Sequence, residues 1–132
     1  MNEFSEVERD EIAVQFVRVP DGLDEIARAW NELEAVVPLR GRHFYGAYDR
    51  AADDYRACVE VRQGDSLAPG LDSGTLPGGR YLRARLRGEP PGIYERIKPT
   101  FEQLLRHSQP DDTRPSLEHY RRHDEIDLLL PV

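Results

Sequence analysis

"EIAVQFVRVPDGLDEIARAWNELEAVV", residues 11–37, changes its hydrophobic period halfway, and that change decides the fold. Its first part alternates Ile12, Val14 and Phe16, the period of two expected of a half-buried strand. After Pro20 and Gly22 the apolar residues Leu23, Ile26, Trp30 and Leu33 recur at helical spacing. Asp24 and Glu25 fall in the first turn, where the helix dipole favours acids, and Pro38 and Gly41 end the pattern. Two strands follow, "RHFYGAYD" with its central glycine and "YRACVEV", which alternates Tyr55, Ala57, Val59 and Val61.

The same order returns downstream. "QGDSLAPGLDSGTLPGG", residues 63–79, is rich in Gly, Ser, Asp and Pro and reads as a linker. Beyond it "YLRARLR" alternates Leu82, Ala84 and Leu86. "EPPGIYERIKPTFEQLLRH" then carries Ile93, Ile97, Phe101, Leu104 and Leu105 on a helical face, with Pro99 expected to kink or shorten it. A loop, "SQPDDTRP", precedes a short strand, "SLEHY", and a closing strand, "EIDLLLPV". At an offset of 70, Ile12, Val14 and Phe16 fall on Leu82, Ala84 and Leu86. At 71, Ile26, Trp30 and Leu33 meet Ile97, Phe101 and Leu104, and Tyr55, Ala57, Val59 and Val61 meet Ile126, Leu128, Leu130 and Val132. The expected fold is therefore a single α+β domain: a duplicated βαββ unit with a pseudo-twofold axis, an antiparallel sheet and two helices around a central groove. The halves span about residues 11–62 and 80–132, with residues 1–10 a flexible lead.

Under the offset of 71, Ser116, Glu118 and Tyr120 correspond to Tyr45, Ala47 and Asp49, so both short strands would wall a groove on the axis. That groove would hold tyrosines and a carboxylate from one half only. Aromatic rings attract positive charge and the acid neutralises it, an arrangement suited to a lipophilic cation. By residue type alone Glu118 is also an ordinary solvated charge, Trp30 an ordinary core residue and each tyrosine an ordinary strand or helix-surface residue. Arg83, Arg85 and Arg87 share a strand face with Tyr81. On a solvated face they are neutral to the argument; in the groove they would favour an anion or pair with acids such as Asp127.

Bulk properties narrow the classes. The chain has 132 residues, 33% charged and 39% hydrophobic, enough for one globular core. No apolar run approaches the roughly 18 residues of a membrane helix, and the acidic N-terminus is unlike a signal peptide, so a cytoplasmic protein without membrane contact is expected. The net charge of −7 disfavours direct nucleic-acid binding. Cys58, the single cysteine, has no nearby histidine to make it a nucleophile, and His43, His107, His119 and His123 lack metal-ligand spacing, so neither metal nor cofactor is expected.

Several stretches together, "YRACVEV", "LPGGRYLRARLRGEPPGIYERIKPTFEQLL", "PSLEHY" and "EIDLLLPV", resemble the GyrI-like small-molecule-binding domain, also called the AraC effector-binding domain. The resemblance runs from about Val14 to Val132. It implies a duplicated βαββ fold whose groove binds drugs, often lipophilic cations, and regulates transcription in relatives fused to DNA-binding domains. Glu118 matches the family's recurrent ligand-contacting acid, with Tyr45, Tyr81, Tyr94, Tyr120 and Trp30 as candidate walls. A stretch of about ten residues, acidic in character, precedes the first strand, which implies a stand-alone member that senses, sequesters or confers resistance to an aromatic compound, cationic if Glu118 is charged. A transcriptional role would need a partner chain, and a homodimer is compatible. The alternative is a hydrolase of a strained electrophile, such as a cyclopropane-containing natural product, with Glu118 holding water and Tyr120 or Tyr94 donating to the leaving oxygen.

Overall fold

The structure, a computed structural model, describes residues 4–38 and 40–132. Its elements are β1 (Phe4–Arg9), β2 (Ile12–Pro20), α1 (Leu23–Val36), β3 (Phe44–Asp49), β4 (Asp54–Glu60), β5 (Asp72–Leu76), β6 (Gly79–Arg87), α2 (Gly92–Glu95), α3 (Ile97–His107), β7 (Ser116–Arg122) and β8 (Glu125–Pro131). All strands join one antiparallel sheet in the order β1-β6-β8-β7-β3-β4-β2-β5. The expected α+β fold is the observed one. Pro99 lies in the first turn of α3, where its missing N–H would have had no helical partner, and the helix starts afresh there after the short α2.

The strand order is a palindrome about the β7–β3 pair, so a pseudo-twofold axis passes through the middle of the sheet. Two segments that read as connections are strands. Phe4–Arg9, expected to be a flexible lead, is β1, and the stretch expected to be a linker contains β5. Each lies on the far side of the other half: β1 pairs with β6, and β5 with β2. The repeated unit is therefore βαββ with one further strand exchanged across the axis. Both added strands are edges, short and rich in charged, Ser or Gly residues, the composition that protects an edge and hides it from a periodicity reading.

The long helices α1 and α3 cover one face. Ala29 and Leu33 of α1 are buried against Val17, Val19, Ala57 and Val59; Thr100 and Leu104 of α3 occupy the equivalent positions over Leu82, Ala84, Leu86, Leu128 and Leu130. The other face has no helix, yet Val14 and Phe16 of β2 share a buried cluster with Tyr81 of β6. Those strands are five positions apart, on the order of 24 Å in a flat sheet at ~4.8 Å per strand, so the sheet must curl to bring them together.

The offset of 70 expected between the first strands of the halves is not the structural one. Val17 pairs with Ala57 as Ala84 pairs with Leu128, and Ala57 and Leu128 are themselves 71 apart. Val17 thus takes the place of Ala84, at an offset of 67, while Val14 and Phe16 point away from the helices. β2 carries apolar residues on both faces because both are covered, so alternation alone cannot orient it. Two residues join β2 to α1, whereas six lie between β6 and Tyr94, the equivalent of Leu23; the four extra residues, two of them in α2, absorb the difference.

Leu33 and Leu104 are fully buried at equivalent positions. Leu33→Ala and Leu104→Ala are each expected to lower unfolding free energy by about 2–5 kcal/mol in urea melts. A loss well below that range at either position would contradict the paired cores.

Candidate functional site

β3 and β7 meet at the axis, where Gly46 faces Glu118 directly across the antiparallel ladder. Directly opposed residues project to the same side of a sheet, here the helix side. A Cβ on Gly46 would collide with the Tyr55 hydroxyl and with Glu118 Oε1. Only one of the two axial positions can therefore carry a long side chain, and the second half supplies it. The axial pair sets the register of these strands at 72, one residue from the expected 71: Phe44, Gly46 and Tyr48 correspond to Ser116, Glu118 and Tyr120. A one-residue slip exchanges the faces of a strand. Tyr45, expected to wall the groove beside Glu118, accordingly lies on the opposite face, stacked on His119 at 4.4 Å.

Glu118 is held by a chain of donors. The Trp30 Nε1–H donates to the Tyr55 hydroxyl at 3.1 Å, and the Tyr55 hydroxyl donates to Glu118 Oε1 at 2.9 Å. The Tyr120 hydroxyl donates to the same oxygen at 2.6 Å. Burial, and then the neighbouring Glu118 charge, lifts both phenols well above the ordinary tyrosine range, so both stay protonated. For Glu118, burial raises the pKa, the two phenolic hydrogen bonds pull it back, and the balance remains above the ordinary value. Its anion is thus stabilised by neutral donors, with no Lys or Arg bonded to it among the described residues.

Glu118 opens into a cleft of about 1160 Å³ between α1 on one side and α2 and α3 on the other. Aromatic rings surround it. Trp30 stands edge-on to Tyr120 at 5.4 Å, to Phe44 at 6.3 Å and to Tyr55 at 6.5 Å, while Tyr94 meets Tyr120 at 6.5 Å. Leu23 (90% exposed) and Tyr94 (49% exposed), equivalent at an offset of 71, stand on the two sides of the cleft.

Of the residues expected at the site, Glu118, Tyr120, Tyr94 and Trp30 are brought together. Tyr45 and Tyr81 are not: both belong to the buried cluster on the helix-free face, where the Tyr81 hydroxyl donates to the Pro77 carbonyl. Tyr81 shares the strand face of Arg83 and Arg85, and these arginines also point away from the cleft, with Arg85 bridging Asp127 at 2.7 and 3.1 Å and Arg83 reaching Ser5. Sequence reading passed over Tyr55, Phe44 and Tyr48. Tyr55 alternates with Ala57 and Val59 and so read as core; the signal available was Gly46, which vacates the space that the Tyr55 hydroxyl and the carboxylate fill.

Cys58 is buried against Phe16, and burial pushes its thiol up to about 12, so it is packing rather than a nucleophile. Glu89, His123 and Asp124 bring possible ligand atoms within 4.8 Å of one another at surface turns beside the cleft, a grouping that histidine spacing did not reveal.

The family model of the GyrI-like small molecule binding domain matches residues 3–132. No curated protein matches the sequence. Among solved structures, an integron cassette protein from the mobile metagenome of Vibrio cholerae has a TM-score of 0.80 at 15% identity, covering 98% of this chain and 95% of that one. SAV2435 bound to tetraphenylphosphonium has a TM-score of 0.69 at 15% identity over 98% and 93% of the two chains. A hydrolase from Listeria innocua reaches 0.62 at 10% identity over 98% and 91%. At these identities the likeness is one of fold.

Because the folded pKa of Glu118 is raised, its contribution to stability is complete below the unfolded value and is lost as pH rises through the folded one. Glu118→Gln is therefore expected to melt above the wild type at pH 7, with the gap closing below about pH 4, near the ordinary glutamate value. A variant that melts lower at pH 7 would show that the ionised carboxylate stabilises the fold.

Proposed function

The chain belongs to the GyrI-like small-molecule-binding domain family, and from that premise we propose that its cleft binds a bulky aromatic cation whose charge rests over Glu118. The observation that carries this reading is the half-buried axial carboxylate, bonded to no arginine or lysine among the described residues and held by tyrosine hydroxyls beneath a ring of aromatic side chains. A buried anion without a counter-charge is costly, and a desolvated cation that enters beside it relieves that cost. The rings add attraction through their negative faces. Tetraphenylphosphonium, present in the structural neighbour SAV2435, is a ligand of this type.

The pseudo-symmetry favours a particular shape. Trp30 and Phe101, Ile26 and Ile97, Tyr48 and Tyr120, and Leu23 and Tyr94 stand as pairs on either side of the axial carboxylate. A molecule with a central charge and apolar groups around it matches these walls better than one with a terminal ammonium. The cleft is slightly larger than most small-molecule sites, which favours tolerance of several such compounds and a role in sensing, sequestration or resistance. For the hydrolytic alternative Tyr120 or Tyr94 would have to donate to a leaving oxygen; the Tyr120 hydroxyl is already engaged with Glu118 itself, which leaves that role to Tyr94 at the cleft rim.

Trp30, the single tryptophan, contacts both Tyr55 and Tyr120 and reports on the cleft. Titration with tetraphenylphosphonium should quench or shift its fluorescence, and Glu118→Gln should weaken binding by on the order of 1–3 kcal/mol. Triphenylphosphine oxide, similar in its rings but neutral, should bind more weakly than the cation to the wild type and lose little in the variant. Equal cation binding by both proteins would contradict the proposal, and recovery of a strained electrophilic ligand one water heavier would replace binding by hydrolysis.

A further inference from the structure

The helix-free face carries a second cavity, of about 370 Å³, with a different chemistry. Arg9, from the exchanged strand β1, reaches across to β3 and β7: its Nη2 donates to the Tyr45 hydroxyl at 3.1 Å and to His119 Nδ1 at 3.3 Å. A guanidinium can only donate, so Nδ1 is the acceptor and the neutral His119 ring carries its proton on Nε2. Nε2 is buried and has no partner among the described residues. His43 lies 5.9 Å from His119, and Arg83 and Arg122 complete the basic wall.

The charges here do not cancel. Asp127 is the one acid lining the cavity, and it is already bonded to Arg85 at 2.7 and 3.1 Å and lies 3.6 Å from Arg121. Among the described residues, Arg9, Arg83 and Arg122 have no carboxylate partner: Arg9 bonds to Tyr45 and His119, Arg83 only to Ser5. Guanidinium groups converging on a concave site in a protein of net charge −7 are not explained by the general field of the molecule. We propose that this cavity is a separate oxyanion site, in which Arg9 and Arg83 receive the phosphate or carboxylate group of a small molecule on the face opposite the aromatic cleft, with Arg122 at the edge that the two cavities share. Forked guanidinium donors suit such planar or tetrahedral oxygens. The site needs β1, because Arg9 comes from that strand, and so it depends on the strand exchange between the halves.

Calorimetric titration of the full chain with inorganic phosphate and with malonate tests this. Wild type should bind at least one of them, and the tighter one identifies the group. Arg83→Gln, which removes a side chain absent from the aromatic cleft, should weaken binding by about tenfold, whereas Arg106→Gln, an exposed charge on α3 outside both cavities, should not. Should Arg83→Gln fail to fold, Arg9→Gln, likewise absent from the aromatic cleft, replaces it with the same expectation. In wild type the ring-proton titration of His119, which burial and then Arg9 hold down to about 4, should move upward when the anion is present. Absence of heat with both anions, equal weakening by Arg106→Gln, or an unmoved His119 midpoint would each overturn the site. Tetraphenylphosphonium binding by Arg83→Gln should equal that of wild type; a joint loss would show one site where two are proposed.

Discussion

Two residues that face each other across the centre of a pseudo-symmetric sheet share one space, and here Gly46 leaves it to Glu118. The rest of the site depends on that steric exclusion. It explains why a duplicated fold has a single carboxylate at its middle. It also fixes the register of β3 against β7, and with it the tyrosines that face the helices. Tyr55 crosses from β4 into the volume a Gly46 side chain would have occupied, and its hydroxyl links Trp30 on α1 to the carboxylate on β7. Symmetry builds the walls; the break in symmetry supplies the charge.

The energetic consequence is a carboxylate made tolerable rather than comfortable. Phenolic hydrogen bonds stabilise its anion, yet burial still holds its pKa above the ordinary range. Elsewhere in this protein buried acids are treated differently: Asp127 and Asp54 each have an arginine at close range. The contrast sets Glu118, held by neutral phenols, apart from these ion pairs. The two faces of the sheet differ in this respect, with a half-buried carboxylate among aromatics on one and, among the described residues, guanidinium groups without a carboxylate partner on the other.

Much of this was legible in the sequence. The amphipathic patterns of α1 and α3 stand out because only one stripe of each is covered, and their offset of 71 is the structural one. Glu118 and Tyr120, two apart on a strand, necessarily share a face. What could not be read was register. Matching apolar residues aligns β3 with β7 one residue out, and that slip alone moved Tyr45 to the wrong side. Tyr81 was misplaced because β6 is covered on both faces, so its arginine-bearing side is buried at Tyr81 and open further along. β1 and β5 were missed because strands made of Ser, Glu, Gly and Asp are held by their neighbours rather than by their own propensity.

The central proposal is that Glu118 is a half-buried anion completed by a cation. Its most direct test is a carbon-13 titration of the Glu118 side-chain carboxyl, alone and with tetraphenylphosphonium. The midpoint should lie above the ordinary glutamate range in the free protein and fall when the cation is bound. An ordinary midpoint that the cation leaves unmoved would contradict the account, because Glu118 would then be a solvated charge with no stake in the ligand.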